Sequence, residues 1–385
     1  MSCQVCTRCI MDTTVPRIAF DADGVCNFCH FHDQLECEYP LGPGCTAQLE
    51  KIYGLVRKSA EGKKYDCVIG ISGGRDSTYL LYHLSRDIGL RCLAVHFNDG
   101  FGNPVAGENM QKAVGILGIP LRTISADWRE SKDLKLSLLK ASTPDLNLAT
   151  DLGVTAALYG VAAQENLKTI FVGQSFRTEG IAPLEWNYLD GRYLHAIHRH
   201  FGSIALRPWK PDDPGFHLDW NHLLYYSVFR GIRVITPYYF MNYVRTEVDQ
   251  IIKDELGWVN TGAHYYDDLY QSLLTQILRT KFNIDRRIFN YSALIRSGQM
   301  TRQSGLDLTR EVYAVEDPKV ISLCIKRLGL TQKEFDEIIT TPAKTFRDYP
   351  NLLAFIRRFS FVVRMLANLH VIPKSTYAKY CGGVI

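Results

Sequence analysis

The feature that most constrains the chain is a short run of apolar residues ending in paired glycines. Cys67-Val68-Ile69-Gly70-Ile71 reads as a buried strand, and Ser72-Gly73-Gly74-Arg75-Asp76-Ser77 follows it directly. Tyr79, Leu80, Leu84 and Ile88 then recur at helical spacing. A strand, a glycine turn and an amphipathic helix in that order make an anion site. Glycines let the backbone turn tightly, so that N–H groups and the positive end of the helix face a phosphate chain. Ser72 and Ser77 add hydroxyl donors, and Asp76 is placed to cap the helix or to hold a magnesium ion.

The rest of the chain repeats the same alternation. Strands are expected at Cys92–Phe97, Leu121–Ile124, Thr169–Val172 and Arg233–Thr236, with helical spacing between successive strands as far as Thr169. That pattern predicts an α/β fold, a parallel sheet with helices on both faces. From Gln174 to about Trp220 the pattern breaks into a stretch rich in Arg, His, Trp, Tyr and Gly. Beyond about 240 it reads as helical, over 242–255, 268–279, 286–297, 317–328 and 347–369. Three regions are therefore expected: 1–45 a metal-binding segment, 46–240 the nucleotide-binding domain, and 241–385 a helical region.

Eleven cysteines in 385 residues stand out, because seven lie in the first 45. That segment has few apolar runs and cannot bury much core, so metal would have to hold it. Cys6-x2-Cys9 and Cys26-x2-Cys29 present four thiolates at a spacing that suits a structural Zn2+ ion, with Asp23-Gly24 as a hairpin turn between them. Cys3 stands in the same spacing to Cys6, which leaves the register open. Cys37 and Cys45 are read as bystanders. Met1 to Met11 is polar and cysteine-rich, and no run approaches the length of a membrane span, so the expected compartment is the cytoplasm without a membrane partner. A formal charge of +4 implies no nucleic-acid partner.

No Lys-Ser/Thr pair follows the glycines, so the γ-phosphate grip of a kinase-type loop is missing. The loop is similar to the PP-loop of GMP synthetases, asparagine synthetases, NAD synthetases and tRNA thiolases. That resemblance implies the adenine nucleotide alpha-hydrolase-like fold, with ATP and Mg2+ as cofactors and cleavage to AMP and pyrophosphate. It also places adenosine at the end of the next strand, here Asn98 and Asp99, which a plain turn explains equally well.

The third cluster follows a strand's carboxyl end, where open α/β sheets place ligands. It comprises Gly173-Gln174-Ser175, Arg177-Thr178-Glu179-Gly180, Trp186-Asn187-Tyr188 and Asp190-Gly191-Arg192-Tyr193. Arg177 and Arg192 are candidates for bidentate phosphate or sugar-acid contacts. His195, His198 and His200 lie nearby, as a metal site or as ordinary hydrogen-bonded side chains. In His264–Gln271, Tyr266, Tyr270 and Gln271 are candidate ligand contacts, with Arg279, Lys281, Arg286 and Arg287 beyond them.

Taken with Ile10-Met11-Asp12-Thr13-Thr14 and Val25-Cys26-Asn27-Phe28-Cys29, these motifs resemble the N-acetyl sugar amidotransferases over nearly the whole chain. Those are the WbpG and PseA types of bacterial O-antigen and flagellin sugar biosynthesis. The resemblance implies that the acetamido group of a nucleotide-activated N-acetyl sugar is adenylated, attacked by ammonia, and released as an acetamidino group with loss of AMP. Asp76, Ser77 and Arg177 would be catalytic, while Ser72, Gly73, Gly74, Asp76, Ser77, Asn98, Asp99, Gly173 and Gln174 would hold the nucleotide. No cysteine sits in a recognisable nucleophile elbow, and the resemblance implies a separate glutaminase with a cyclase-like subunit that delivers ammonia. The alternative is a tRNA-modifying, thiolating PP-loop enzyme, some of which also carry zinc knuckles.

Overall fold

The computed structural model describes residues 4–262, 266–368 and 374–382. Five strands form one parallel sheet: β1 (Cys67–Gly70), β2 (Cys92–Asn98), β3 (Leu121–Ser125), β4 (Thr169–Phe171) and β5 (Arg233–Ile235). Their spatial order is β3-β2-β1-β4-β5. The chain starts in the middle, builds outward through β2 and β3, then returns to the other side of β1. The gap between the carboxyl ends of β1 and β4 is thus the topological switch point, where such sheets bind ligands.

Alternation along the strands fills two cores. Cys67, Ile69, Cys92, Ala94 and Phe171 face one side, which helices Pro43–Ser59, Arg75–Tyr82, Pro104–Leu117 and Arg245–Leu256 cover. Val68, Leu93, Val95 and Ile170 face the other, beneath Trp128–Ala141, Leu148–Gln164 and Gly191–Phe201. Cys67 and Cys92 are neighbours across β1 and β2, with sulfurs 3.7 Å apart in the core. Polar side chains cap two of the helices that border the site. Asn103 caps Pro104–Leu117 by accepting from the Val105 N–H, and Asp127 caps Trp128–Ala141 by accepting from that of Arg129.

Two expectations differ from the structure. The stretch after Gln174 is not irregular throughout, since Gly191–Phe201 is a helix capped by Asp190. Its glycine start and its Arg and His content hid an apolar stripe of Tyr193, Leu194 and Ile197, all buried. In the region expected to be helical over 347–369, the helix breaks into Leu353–Arg358 and Ser360–Asn368. Helices Arg302–Arg310 and Gln332–Thr340 also form between the expected ones, each opened by a threonine cap that the reading passed over. Among the described residues no helix is long and apolar enough to cross a membrane.

Candidate active site and metal centre

Gly73 shows why the loop after β1 needs its glycines. Its φ is +82°, and a Cβ there would lie 2.0 Å from the Ala106 carbonyl oxygen. The loop backbone therefore presses directly onto helix Pro104–Leu117. Asn109 Nδ2 and Trp258 Nε1 donate to the Gly73 carbonyl at 3.2 and 3.0 Å and lock the turn. The Ser72 N–H donates to Ser77 Oγ at 3.1 Å, and the Gly74 N–H to Ser72 Oγ at 3.3 Å. The loop closes on itself, with the start of helix Arg75–Tyr82 at the wall of a chamber of about 640 Å³.

Two carboxylates line that chamber beside the loop. Asp76 accepts from the Tyr243 hydroxyl, and its carbonyl accepts from Tyr238 Oη at 2.6 Å. Burial pushes the Asp76 carboxyl up, against the pull of Tyr243 and of Arg245 and Arg75. Asp267 arrives from the segment before helix Tyr270–Phe282. A Cβ on Gly74 would stand 3.5 Å from its Oδ2, and burial raises its carboxyl to about 6. Hard oxygen donors of this kind, completed by phosphate oxygens and water, are what Mg2+ takes. Arg245 lines the same chamber; its N–H donates to Gln299 Oε1, while its guanidinium makes no ion pair or hydrogen bond among the described residues. Arg75 is tied instead to Asp249, with Nη2 at 2.9 Å from Oδ2.

The β4 side meets the loop at close range. A Cβ on Gly173 would lie 2.9 Å from the Asp76 carbonyl oxygen, so only glycine fits this crossing. Gln174 is exposed and lines the chamber. Asn98 and Asp99 line it too, and both are held in a turn: Asn98 Oδ1 accepts from the Gly100 N–H at 3.0 Å. Although burial opposes it, the Lys135 ammonium at 2.6 Å keeps Asp99 below the usual carboxylate range.

Other sequence candidates lie elsewhere. Arg177 does not line the chamber. It is buried, and Nε and Nη2 donate to Glu36 at 2.7 and 2.8 Å, while Nη2 also reaches the Tyr39 carbonyl at 2.7 Å. Arg192 is exposed on helix Gly191–Phe201, away from the chamber. His198 pairs with Asp133 at 2.8 Å, the His195 ring lies tilted against that of His217, and no histidine joins a group able to hold a metal among the described residues. Tyr266 reaches the chamber, Gln271 lines its wall, and Tyr270 is buried against Phe101 and Lys135. His264 and Tyr265 lie outside the described residues. Arg279 pairs with Glu316, Lys281 donates to the Ile338 carbonyl, and Arg287 is held by Asp285 and three carbonyls. Asp267, Arg245 and Trp258 were not singled out from the sequence. Asp267 stood beside named neighbours, and the other two lie far from any glycine motif.

Cys6, Cys9, Cys26 and Cys29 converge, every sulfur within 4.8 Å of the others. Three of the separations are 3.9, 3.7 and 3.6 Å. A tetrahedron with metal–sulfur bonds of about 2.3 Å has edges of about 3.8 Å, so the group fits one ion. A cubane iron–sulfur cluster binds each thiolate to a separate iron and needs them farther apart. Cys3 lies outside the described residues. The Cys9 and Cys26 N–H groups donate to Cys6 Sγ at 3.4 and 3.3 Å, and Arg296 Nη2 lies 3.7 Å from Cys9 Sγ. Hydrogen bonds from Cys26 and Cys29 bring the Cys6 thiol down to about 6. Gly24 makes the hairpin turn between the two pairs with φ +77°.

Residues 263–361 match the family model described as LPS biosynthesis protein WbpG-like, C-terminal domain. The chain carries a WbpG-like C-terminal domain. This domain supplies Asp267 and Gln271 to the chamber wall, Arg286 hydrogen-bonded to Gln271, and Arg296 and Arg302 at the cysteine group. Comparison with curated proteins gives no match. Among solved structures, the chain is similar to the U34-tRNA thiolase NcsA from Methanococcus maripaludis with its [4Fe-4S] cluster. Identity is 15%, coverage 86% of this chain and 100% of that one, and the TM-score 0.31. An NH3-dependent NAD synthetase from Campylobacter jejuni gives 12%, 78%, 98% and 0.28 in the same order. A predicted subunit of tRNA methyltransferase from Methanocaldococcus jannaschii gives 14%, 49%, 75% and 0.26.

Proposed function

We propose that the chain is an ATP-dependent amidotransferase. It adenylates the acetamido oxygen of a nucleotide-activated N-acetyl sugar and replaces that oxygen with nitrogen from ammonia, in the biosynthesis of O-antigen or a related bacterial surface glycan. The observation that carries this reading is the meeting of the self-closed Ser72–Ser77 loop, Gly173 and the WbpG-like domain's Asp267 around one chamber.

An amide oxygen is a poor leaving group until it bears AMP. In the first step the amide oxygen bonds to the α-phosphorus while the bond to the β-phosphate oxygen breaks. Pyrophosphate leaves with its charge balanced by Mg2+ when bound, which Asp76 and Asp267 would hold, and by Arg245. Fixed cations of this kind stabilise charge as it develops. The loop N–H groups and Ser77 orient the phosphates. In the second step ammonia adds to the acyl carbon, the C–OAMP bond breaks, and a proton is lost.

The four-cysteine group is assigned a structural Zn2+ ion, because four thiolates close the tetrahedron and leave no position for substrate. Ammonia would come from a separate glutaminase through a cyclase-like subunit, as the family resemblance implies. The competing reading, a tRNA-thiolating enzyme, gains little from Cys67 and Cys92, which pack on each other inside the sheet. The test is incubation with ATP, ammonium and a panel of nucleotide-linked N-acetyl sugars, followed by mass analysis. An exchange of O for NH in one sugar, with AMP formed in equal amount, is the expected result. An unchanged panel, or RNA bound tightly to the purified chain and modified by it, would overturn the reading.

A further inference from the structure

A second chamber of about 610 Å³ lies beside the phosphate-loop chamber and shares a wall with it. Asn147, Asp151, Val172, Gln174, Glu179 and Gln271 line both. Each volume falls in the range of a small-molecule site, roughly 300–1,000 Å³. One chamber can take ATP, and ammonia needs almost no room, so the second is sized for another organic substrate.

The passage between the chambers is ordered by a chain of side-chain hydrogen bonds with one direction. Arg286 Nη2 donates to Gln271 Oε1 at 2.9 Å, Gln271 Nε2 to Asn147 Oδ1 at 3.4 Å, and Asn147 Nδ2 to Asp151 Oδ1 at 2.7 Å. A guanidinium at one end and a carboxylate at the other fix which way both amides point. Asp151 makes no ion pair among the described residues. Burial raises its carboxyl to about 6, within reach of a proton transfer near neutral pH.

The second chamber has its own lining. Trp186 lies in its wall, with its ring 6.1 Å from that of Phe289. Lys379, from helix Lys374–Tyr380, lines it without an ion pair or hydrogen bond among the described residues. Burial brings this ammonium down to about 8, offset by the field of Asp145, Asp151 and Glu185. A half-buried ammonium left without a fixed partner among the described residues is a place for a ligand's negative charge.

We propose that the second chamber is the acceptor site, taking a phosphate-linked N-acyl sugar. Its phosphate meets Lys379, its ring lies against Trp186, and its acylamino group enters the passage beside Asp151 and Gln174. This rests on the amidotransferase reading and adds the acceptor's place and a catalytic residue to it. When ammonia attacks the adenylated carbon, a C–N bond forms and the C–OAMP bond breaks. Asp151 takes the proton that the new nitrogen loses, and AMP departs with the oxygen.

The test uses the full chain, CMP-, UDP- and GDP-linked N-acetyl sugars, and calorimetry alongside product analysis. Lys379→Met is expected to weaken binding of the accepted sugar about tenfold or more while ATP affinity stays as it was. Asp151→Asn is expected to lower amidine formation by about 100-fold, the scale of one acid–base group, with a much smaller drop in acceptor-dependent pyrophosphate release. Circular dichroism verifies that both variants fold. Unchanged sugar affinity in Lys379→Met, full turnover in Asp151→Asn, or no binding by any sugar would overturn the proposal. If wild type and both variants alike give AMP and amidine, the acceptor site fails while the amidotransferase reading stands. If sugar binding depends on Lys379 but ATP yields ADP, the chamber stands and the reaction fails.

Discussion

Arg177, four residues beyond the Gly173 crossing, holds Glu36 through two parallel hydrogen bonds of 2.7 and 2.8 Å. Glu36 belongs to helix Asn27–Glu38, which begins next to Cys26. One ion pair therefore joins the loop after β4 to the helix of the cysteine segment. Burial opposes the charge on Glu36, but the His32 ring 3.4 Å away and the hydrogen bonds from Arg177 bring it down to about 2.

Arg177→Ala should destabilise the chain by about 3 kcal/mol, because removing one partner strands the other and takes a donor from the carbonyls of Tyr39, Tyr238 and Tyr239. Glu36 is a third exposed, which keeps the loss at the lower end for buried pairs. Denaturant unfolding of Arg177→Ala, Glu36→Gln and the double variant would measure it. Additive losses would show that the pair is not coupled.

The metal centre makes a separate prediction. Arg302 donates to the Cys6 and Cys9 carbonyls, so the knuckle and helix Arg302–Arg310 hold each other in place. Purified chain should contain one zinc ion, and Cys26→Ser should lose it together with thermal stability. Metal analysis that finds iron and sulfide, or a Cys26→Ser variant with unchanged zinc, would refute the assignment.

Gly73→Ala should destabilise by about 2 kcal/mol or more, since a left-handed φ is added to a clash with backbone. The same change at Gly107, where nothing lies within 4 Å of an added Cβ, should be tolerated. Equal melting temperatures for the two variants would contradict the packing of the loop on helix Pro104–Leu117.

Asp145 carries a pH dependence. Burial raises its carboxyl to about 7, against hydrogen bonds from the Tyr188 N–H and Tyr193 hydroxyl. An acid whose folded-state value lies above its unfolded one binds protons more tightly when folded. Its contribution is present at low pH and is lost as pH rises from about 4 through about 7. The stability difference between wild type and Asp145→Asn should therefore move against wild type across that window. A difference that stays flat with pH would contradict it.

Much of the fold was legible because β1 is a continuous apolar run and glycines follow β1 and β4. The phosphate loop and cysteine pairs were legible for a related reason, since each is a local motif whose spacing carries its geometry. Arg177 was misplaced because sequence shows that a guanidinium is present, but not that Glu36, 141 positions away, will claim it. Asp267 and Arg245 were missed because they reach the loop from later segments, and no periodicity records a tertiary approach. Asp151 and Lys379 were hidden for the same reason, one within a helical pattern and the other near the chain's end.

The central claim is adenylation at the loop formed by Ser72 to Ser77. The most direct measurement is phosphorus NMR of the products when the chain turns over ATP with ammonium and its accepted sugar. The account predicts AMP and pyrophosphate in equal amounts, with Asp76→Ala abolishing both. ADP and inorganic phosphate from the wild-type chain would contradict it.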